Sequence, residues 1–342
     1  MKKCTILRDG VKCGKKGALL VVDIALPPAV DSHIRRLSLR RDLETVADLV
    51  ELCFSDTLDL EGRHFLRGMR ETARSARLMG WTDSLTDHTP TPQTGLVWEE
   101  DGRLIGNVSL IPITVSGRRC YLIANVAVHP DQRGRGIGRM LTAAAMEFAR
   151  SRHVPATWLQ VRDDNPAAVH IYRNLAFVER ARRTTWRASE DIPHPSGSPG
   201  LSLGRRRANY WADQQLWLDQ LYPPEFSWSL PIDRKLLRPD FFGFAYRFMS
   251  FDYPHQWAVQ SHGELKGVLT WRHVNGYNDP LWLAVPQAVD EEALFALLAY
   301  ARAQIPRRQH TSLNLPDGLA KDALQRAGFR PAHTLIWMEY KF

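Results

Sequence analysis

Apolar and polar positions in this chain fall into two rhythms, and the order of the rhythms occurs twice. IRRLSLR (Ile34 to Arg40) alternates as a strand does, and DLETVADLVELCF (Asp42 to Phe54) then returns an apolar residue every three or four positions, predicting an amphipathic helix. The charged stretch Leu60 to Met79 predicts a second helix. The period then shortens to two. TGLVWEE, RLIGNVSLIPITV and CYLIANVAVH read as three strands that turn at Glu100-Asp101-Gly102 and at Gly117. RMLTAAAMEFARSR returns to helical spacing with Met140, Leu141, Ala144, Ala145 and Phe148 on one side. TWLQVR follows as a short buried strand, NPAAVHIYRNLAF as a helix opened by Asn-Pro, and VERARRTTWRA as a closing strand.

SEDIPHPSGSPGLSLG (Ser189 to Gly204) is rich in Pro, Gly and Ser, has no apolar period, and reads as a linker. Beyond it the order recurs. A helix in ANYWADQQLWLDQLY precedes a hairpin turning at His262-Gly263, a strand LWLAV and a helix DEEALFALLAYARAQ. A strand TSLNL, a helix LAKDALQRAGF and a closing strand HTLIWMEYKF complete it. A chain of 342 residues exceeds the usual size of one domain, and the recurrence divides it. The expected parts are an extension (1–33), a first domain (34–188), a linker (189–204) and a second domain (205–342).

Composition adds limits. With 44% hydrophobic and 24% charged residues the chain is of ordinary globular type. The formal charge of +8 permits an anionic partner, but the arginines are scattered (Arg35–Arg36, Arg118–Arg119, Arg182–Arg183, Arg205–Arg207), so nucleic acid is not an expected partner. Four cysteines in this length form no disulfide framework and point to a reducing compartment, the cytoplasm. Cys4 and Cys13 flank a hairpin-like TILRDGVK, and no further metal ligands follow at short spacing, so no metal is expected. The run Ala18 to Val30 is short, carries Asp23 and ends in Pro27-Pro28, which fits neither a membrane span nor a signal peptide.

HPDQRGRGIGRML (His129 to Leu141) carries the chemistry. Three glycines at Gly134, Gly136 and Gly138 are costly at a helix start, each giving up about 1 kcal/mol against alanine. A strand that ends in a glycine-rich loop opening a helix is an anion site: several backbone N–H groups share one concavity, and the helix dipole adds about half a positive charge. Bare backbone admits a diphosphate, and Arg133, Arg135 and Arg139 surround it with positive charge. The nucleotide loop GxxxxGK[ST] is absent, and the spacing does not match the dinucleotide fingerprint GxGxxG.

Gln132-Arg133-Gly134-Arg135-Gly136-Ile137-Gly138, preceded by Val126-Ala127-Val128-His129-Pro130, resembles the acyl-CoA pyrophosphate loop of the GCN5-related N-acetyltransferases (GNAT). Asn165-Pro166-Ala167-Ala168, Ile171-Tyr172 and Leu175-Ala176-Phe177 resemble that family's Asn-x-Ala-Ala, Tyr and Leu-Gly-Phe segment. The resemblance runs from about Ile34 to Ala188. It implies an α/β (α+β) architecture of two tandem acyl-CoA N-acyltransferase folds, each a mixed, mostly antiparallel sheet flanked by helices. It further implies that the fourth and fifth strands splay, so that Val126, Ala127 and Val128 offer backbone contacts to pantetheine and the Val128 N–H polarises the thioester carbonyl. Arg133, Gly134, Arg135, Gly136, Ile137 and Gly138 would hold the pyrophosphate, Asn165 and Ala168 would lie near the pantetheine arm, and Tyr172 would protonate the leaving sulfur.

The implied activity is transfer of acetyl from acetyl-CoA, as co-substrate, to a primary amine by direct attack in a ternary complex. The acceptor is a small molecule or a peptide; no membrane partner is implied, and the chain is a monomer or homodimer. Two departures stand out. No carboxylate occurs from Cys120 to Val128, where many members of the family place a general base. This leaves a water relay, a neutral amine, or Glu99, Asp163 or Asp164. Ala176 replaces the usual glycine.

In the second domain Leu283-Ala284-Val285-Pro286 is followed by Gln287-Ala288-Val289-Asp290-Glu291-Glu292, which has no glycine and three acids, and Leu324 stands where Tyr172 would. That domain reads as a degenerate copy. Its aromatics, among them Trp211, Trp217, Tyr222, Phe226, Trp228, Phe241, Phe242 and Phe244, are expected in a core or lining an acceptor cleft. The alternative reading is a non-catalytic acyl-CoA-binding or partner-docking protein.

Overall fold

Three tight turns set the strand pairing. Asp101-Gly102, Ser116-Gly117 and His262-Gly263 all have positive φ at both residues, the two-residue geometry whose twist matches the flanking strands. The computed structural model describes residues 32–342 except 57, 59, 79–93, 191–198, 275–277 and 307–309. The Cys4/Cys13 hairpin and the Ala18–Val30 run lie outside the described residues. In the first half the elements are β1 (Ile34–Arg36), α1 (Leu39–Phe54), α2 (Leu60–Leu78), β2 (Thr94–Glu100), β3 (Arg103–Val115), β4 (Arg118–Val128), α3 (Ile137–Ser151), β5 (Ala156–Arg162), α4 (Pro166–Asn174) and β6 (Val178–Ala188). In the second they are β7 (Leu201–Arg205), α5 (Trp211–Leu221), α6 (Arg234–Leu237), α7 (Phe241–Ser250), β8 (His255–Ser261), β9 (Glu264–Trp271), β10 (Asp279–Ala284), α8 (Glu291–Gln304), β11 (Thr311–Pro316), α9 (Lys321–Arg326) and β12 (Phe329–Lys341).

The first strand is shorter than its alternation predicts, and the reason is Asp42. Its buried carboxylate accepts from the Ser38 N–H (2.7 Å) and from Arg35 (2.6 Å), which starts α1 at Leu39. Burial alone would raise the Asp42 carboxyl; the hydrogen bonds from Arg35, Ser38 and Arg41 outweigh it and hold the group below the usual carboxylate range. A second difference is β7, which begins inside the expected linker and pairs with β8 as an edge strand.

All strands join one sheet in the order β1-β2-β3-β4-β5-β12-β6-β11-β10-β9-β8-β7. The closing strands are exchanged. The sequence repeat predicts that each half closes on its own last strand, but β12 lies between β5 and β6, and β6 pairs with β11 of the second half. Alternation along β12 explains why it holds: Ile336 and Met338 point into the first half's core, and Trp337 into the second's. Arg180 on β6 binds Glu339 on β12 (2.7 Å) across the same junction. Helices α3 and α4 cover one face of the first half's sheet and α1 and α2 the other. Gly106 lets α3 close on β3, since a Cβ there would stand 2.9 Å from Leu141 Cδ1.

A polypeptide of residues 34–188 therefore lacks a central strand of its own sheet. Losing Ile336 and Met338 alone costs the first core roughly 3–6 kcal/mol of burial, comparable to a domain's whole stability. We expect that fragment to show no cooperative thermal transition by circular dichroism, and residues 189–342 supplied as a second polypeptide to restore one. A cooperatively melting fragment alone would refute the exchange.

Ala176 adopts φ 61°, the left-handed conformation that a glycine takes at Gly328 (φ 75°) in the second half. Glycine would relieve this strain, and Ala176→Gly is expected to stabilise the protein by about 1 kcal/mol, less the unfolded-state entropy that glycine adds. A chemical denaturation midpoint that falls instead would contradict this. Among the described residues no helix is long and apolar enough to cross a membrane, and no cluster of His, Cys, Asp or Glu is placed to hold a metal ion.

Candidate functional site

The site begins where two parallel strands part. β4 pairs with β5 only through Tyr121–Thr157, Leu122–Trp158 and Ile123–Leu159. Beyond that point β4 bulges: the partner of Ser109 is Ala124 and the partner of Asn107 is Ala127, so β4 carries one residue more than β3. Asn125, at φ 50°, is the bulge. Buried Asn107 holds it by donating to the Asn125 carbonyl (2.9 Å), and the Asn125 amide donates to Ser109 Oγ (3.3 Å).

Past the bulge the His129 N–H donates across to Ile105 (2.9 Å) on β3. Backbone groups alternate sides along a strand, so the N–H and carbonyl of Val128 turn toward the gap, and Val126 shares that side. The Val128 carbonyl accepts from the Cys53 thiol (3.2 Å) and from Arg133 Nε (3.3 Å). Ala127, expected among the cofactor contacts, is placed differently. Its backbone is the one paired with Asn107, and its methyl is buried under α1 and α2.

The glycine loop leads directly from this gap. Gly134 (φ 82°) and Gly136 (φ 79°) are left-handed, which side chains resist, and Gly136 caps α3. The first intrahelical bond runs from Met140 N–H to Gly136 (3.0 Å), leaving the N–H groups of Ile137, Gly138 and Arg139 at the open helix end. Gly138 is the informative one. Its backbone is helical, and a Cβ there would make ordinary contacts at 3.7 Å with Val128 Cγ2 and 4.0 Å with Ile171 Cδ1. Neither conformation nor packing requires glycine, so what its bareness preserves is the concave surface where β4, α3 and α4 converge. Ile137 is buried and anchors the loop, and the Arg135 side chain is tied back to Glu100 (2.9 Å), leaving its backbone to the loop. Hydrogen bonding from Arg135 holds Glu100 below the usual carboxylate range.

Tyr172 on α4 belongs to the same apolar cluster as Val126, Val128 and Ile171. Its ring packs edge-on to Phe177 (6.1 Å), which meets Tyr340 of β12 (5.8 Å), so the exchanged strand floors this site. Burial pushes the Tyr172 hydroxyl up to about 12, keeping it protonated at any physiological pH. Asn165 serves the helix itself, since its side chain accepts from the Ala168 N–H (3.1 Å) and caps α4. Among the carboxylates, Glu99 is ion-paired to Arg35 and Arg41. Asp164 pairs with Arg162 (2.7 Å), whose hydrogen bond lowers it and suits it poorly to remove a proton, and the Asp163 N–H donates to the Thr334 carbonyl on β12 (3.1 Å). Asn107, Ser109 and Cys53 escaped the sequence reading. Their one signal is polarity inside otherwise apolar runs, IGNVSL above all.

The second half has the same gap, closed. β10 pairs with β11 only through Asp279–Leu281 and with β9 in unbroken register, so the bulge of β4 has no counterpart. The Leu283 N–H donates to the buried Tyr222 hydroxyl (3.2 Å), with the Arg183 guanidinium over the Tyr222 ring. At the head of α8, Asp290 accepts from Ala293 N–H (3.0 Å), Glu291 from Ala323 N–H (2.9 Å), and Glu292 binds Arg326 (2.9 Å). The protein's own groups fill both places that the first half leaves bare. Of the aromatics expected in a cleft or core, Trp217, Tyr222 and Phe226 are buried and Trp211 and Trp228 pack partly against that core, whereas Phe241, Phe242 and Phe244 are exposed.

Known proteins resemble this chain both in sequence and in fold. Residues 57–177 match the model of the Acetyltransferase (GNAT) family. The chain is 36% identical over 91 residues to a mycothiol acetyltransferase of Tsukamurella paurometabola, a match covering 26% of this chain and 30% of that protein. It is 40% identical over 62 residues to the [ribosomal protein bS18]-alanine N-acetyltransferase of Salmonella typhimurium, covering 18% and 42%. The matched stretches thus span well under half the length of these relatives. Among solved structures, a GCN5-related N-acetyltransferase from Sphaerobacter thermophilus superposes with a TM-score of 0.54 at 14% identity, covering 91% of this chain and 96% of that one, a likeness of fold. The fold across both halves is thus like that of a GCN5-related N-acetyltransferase, and over residues 57–177 the chain carries a domain of the acetyltransferase (GNAT) family.

Proposed function

We propose that the first half transfers the acetyl group of acetyl-CoA to a primary amine by direct attack in a ternary complex. One observation carries the reading: a backbone gap at Val126 and at the Val128 N–H adjoins a bare glycine loop, while the second half fills both places with Tyr222 and with Asp290, Glu291 and Glu292. The relatives' names add acetyl transfer, and one of them transfer to nitrogen.

The residues present fit such a co-substrate. The open N–H groups at the head of α3 and the loop Arg133 to Gly138 would hold the diphosphate, and Val126 and Val128 would bind the amide groups of the pantetheine arm. Acetyl-CoA supplies the activated thioester. The Val128 N–H would stabilise negative charge on the carbonyl oxygen, and Tyr172, protonated throughout, would give its proton to the departing sulfur. With Glu99 and Asp164 held in ion pairs, the acceptor amine is expected to lose its proton to Asp163 or to water, or to arrive neutral. Asn165 and Ala168 support α4 beneath this arrangement.

Calorimetric titration of acetyl-CoA is expected to give one equivalent, held by the first half alone. An amine screen with thiol detection would then identify acceptors. Absence of binding in folded protein would refute the proposal, and binding without turnover on any amine would favour the acyl-CoA-binding alternative.

A further inference from the structure

Helix α7 is built inside out. Tyr246 and Arg247 face the protein: the Tyr246 hydroxyl donates to Asp233 (2.9 Å), and Arg247 donates to the carbonyls of Leu236 (2.8 Å) and Arg238 (2.6 Å). Gly243 seats the helix, since a Cβ there would stand 2.2 Å from the Arg238 carbonyl. The large apolar side chains of the helix and of the residues just after it face outward. Phe241, Phe242, Phe244, Phe248, Met249, Phe251 and Tyr253 are between 56% and 83% exposed. A helix that spends its hydrogen-bonding groups on the body and presents phenylalanines to water is shaped for an outside contact.

We propose that this face is the surface through which two copies of the chain associate. Area supports a second copy. At roughly 200 Å² per large side chain the face offers on the order of 1,000 Å², well above the largest apolar patch of an ordinary monomer and close to the ~800 Å² per partner of a stable interface. Charge supports it too. The groups around the helix are already engaged: Arg238 with Asp240, Arg272 with Asp252 (2.5 Å), and the Lys235 ammonium over the Tyr246 ring. An anionic membrane would instead call for free basic residues beside the apolar face. Phe241, Phe244, Phe248 and Phe251 recur at three- and four-residue spacing, and one such stripe packs on its own copy about a two-fold axis. The helix leads into β8, six strands from β5 in the sheet, on the order of 29 Å from the acetyl-transfer gap.

Sedimentation equilibrium of the full chain at low micromolar concentration tests this, beside Phe244→Glu/Phe248→Glu, a pair exposed enough to leave the fold intact. The expected result is a dimeric mass for the wild type, a twofold lower mass for the variant, and unchanged acetyl-CoA affinity and far-ultraviolet circular dichroism in both. A monomeric wild type, or a variant that remains dimeric, would overturn the proposal. A monomeric wild type that sediments with phosphatidylcholine/phosphatidylserine vesicles would assign the face to a membrane instead.

Discussion

Gly138→Asp should abolish acetyl-CoA binding while leaving the protein at least as stable as the wild type. The two effects have opposite signs for one reason. A carboxylate in the first turn of α3 favours the helix dipole by about 0.3–1 kcal/mol, and the Cβ it hangs from meets only ordinary contacts. The same carboxylate stands in the concavity where a diphosphate would sit, replacing attraction with repulsion and filling bare space. Affinity should fall at least about 100-fold, roughly 2.7 kcal/mol. Gly138→Ala separates the two causes: it adds the methyl without the charge, so it should fold normally and weaken binding less. Gly136→Asp is the blunter probe, since Gly136 is left-handed and any side chain there adds strain. The second half has made the equivalent change, with Asp290, Glu291 and Glu292 at the head of α8. If Gly138→Asp binds acetyl-CoA with wild-type affinity by calorimetry, the pyrophosphate assignment is wrong.

How much of this was legible in the sequence depends on the range of the interaction. The hairpins, the amphipathic helices and the glycine loop are local, and their residues announced them: Asp101-Gly102 can only turn, and three glycines before a helix can only bare a backbone. The exchange of β6 and β12 was not legible, because HTLIWMEYKF closes either half equally well by its own pattern. What decides is that Ile336 and Met338 match one core and Trp337 the other, a match made across the sheet and invisible along the chain. The bulge at Asn125 was hidden for a similar reason. Its positive φ is stabilised by Asn107 and Ser109, which are near it only once β3 and β4 are paired. Tyr222 looked like any core aromatic. Its hydroxyl closes the second gap only because α5 lies on β10, which no periodicity predicts.

Tyr172→Phe should lower kcat by about 100-fold or more, the usual worth of a positioned proton donor, with acetyl-CoA affinity unchanged. The substitution is clean because the ring's contacts, edge-on to Phe177 and through it to Tyr340, do not involve the hydroxyl. The pH profile then distinguishes acid catalysis from packing. Burial holds the Tyr172 proton to about 12, so its loss lies beyond the assay range and no alkaline fall is expected up to pH 10. Instead kcat/KM should rise with pH as the acceptor amine loses its own proton, and level off near that amine's pKa. In Tyr172→Phe the whole profile should drop without moving along the pH axis, because the variant removes the donor and leaves the amine's ionisation alone. A leaving group that needs less protonation should recover part of the loss, so a more acidic thiol in the acyl donor would narrow the gap between the two proteins. A Tyr172→Phe enzyme with wild-type kcat would assign the departing sulfur's proton to water. The buried hydroxyl would then be a packing residue like its neighbours Phe177 and Val169.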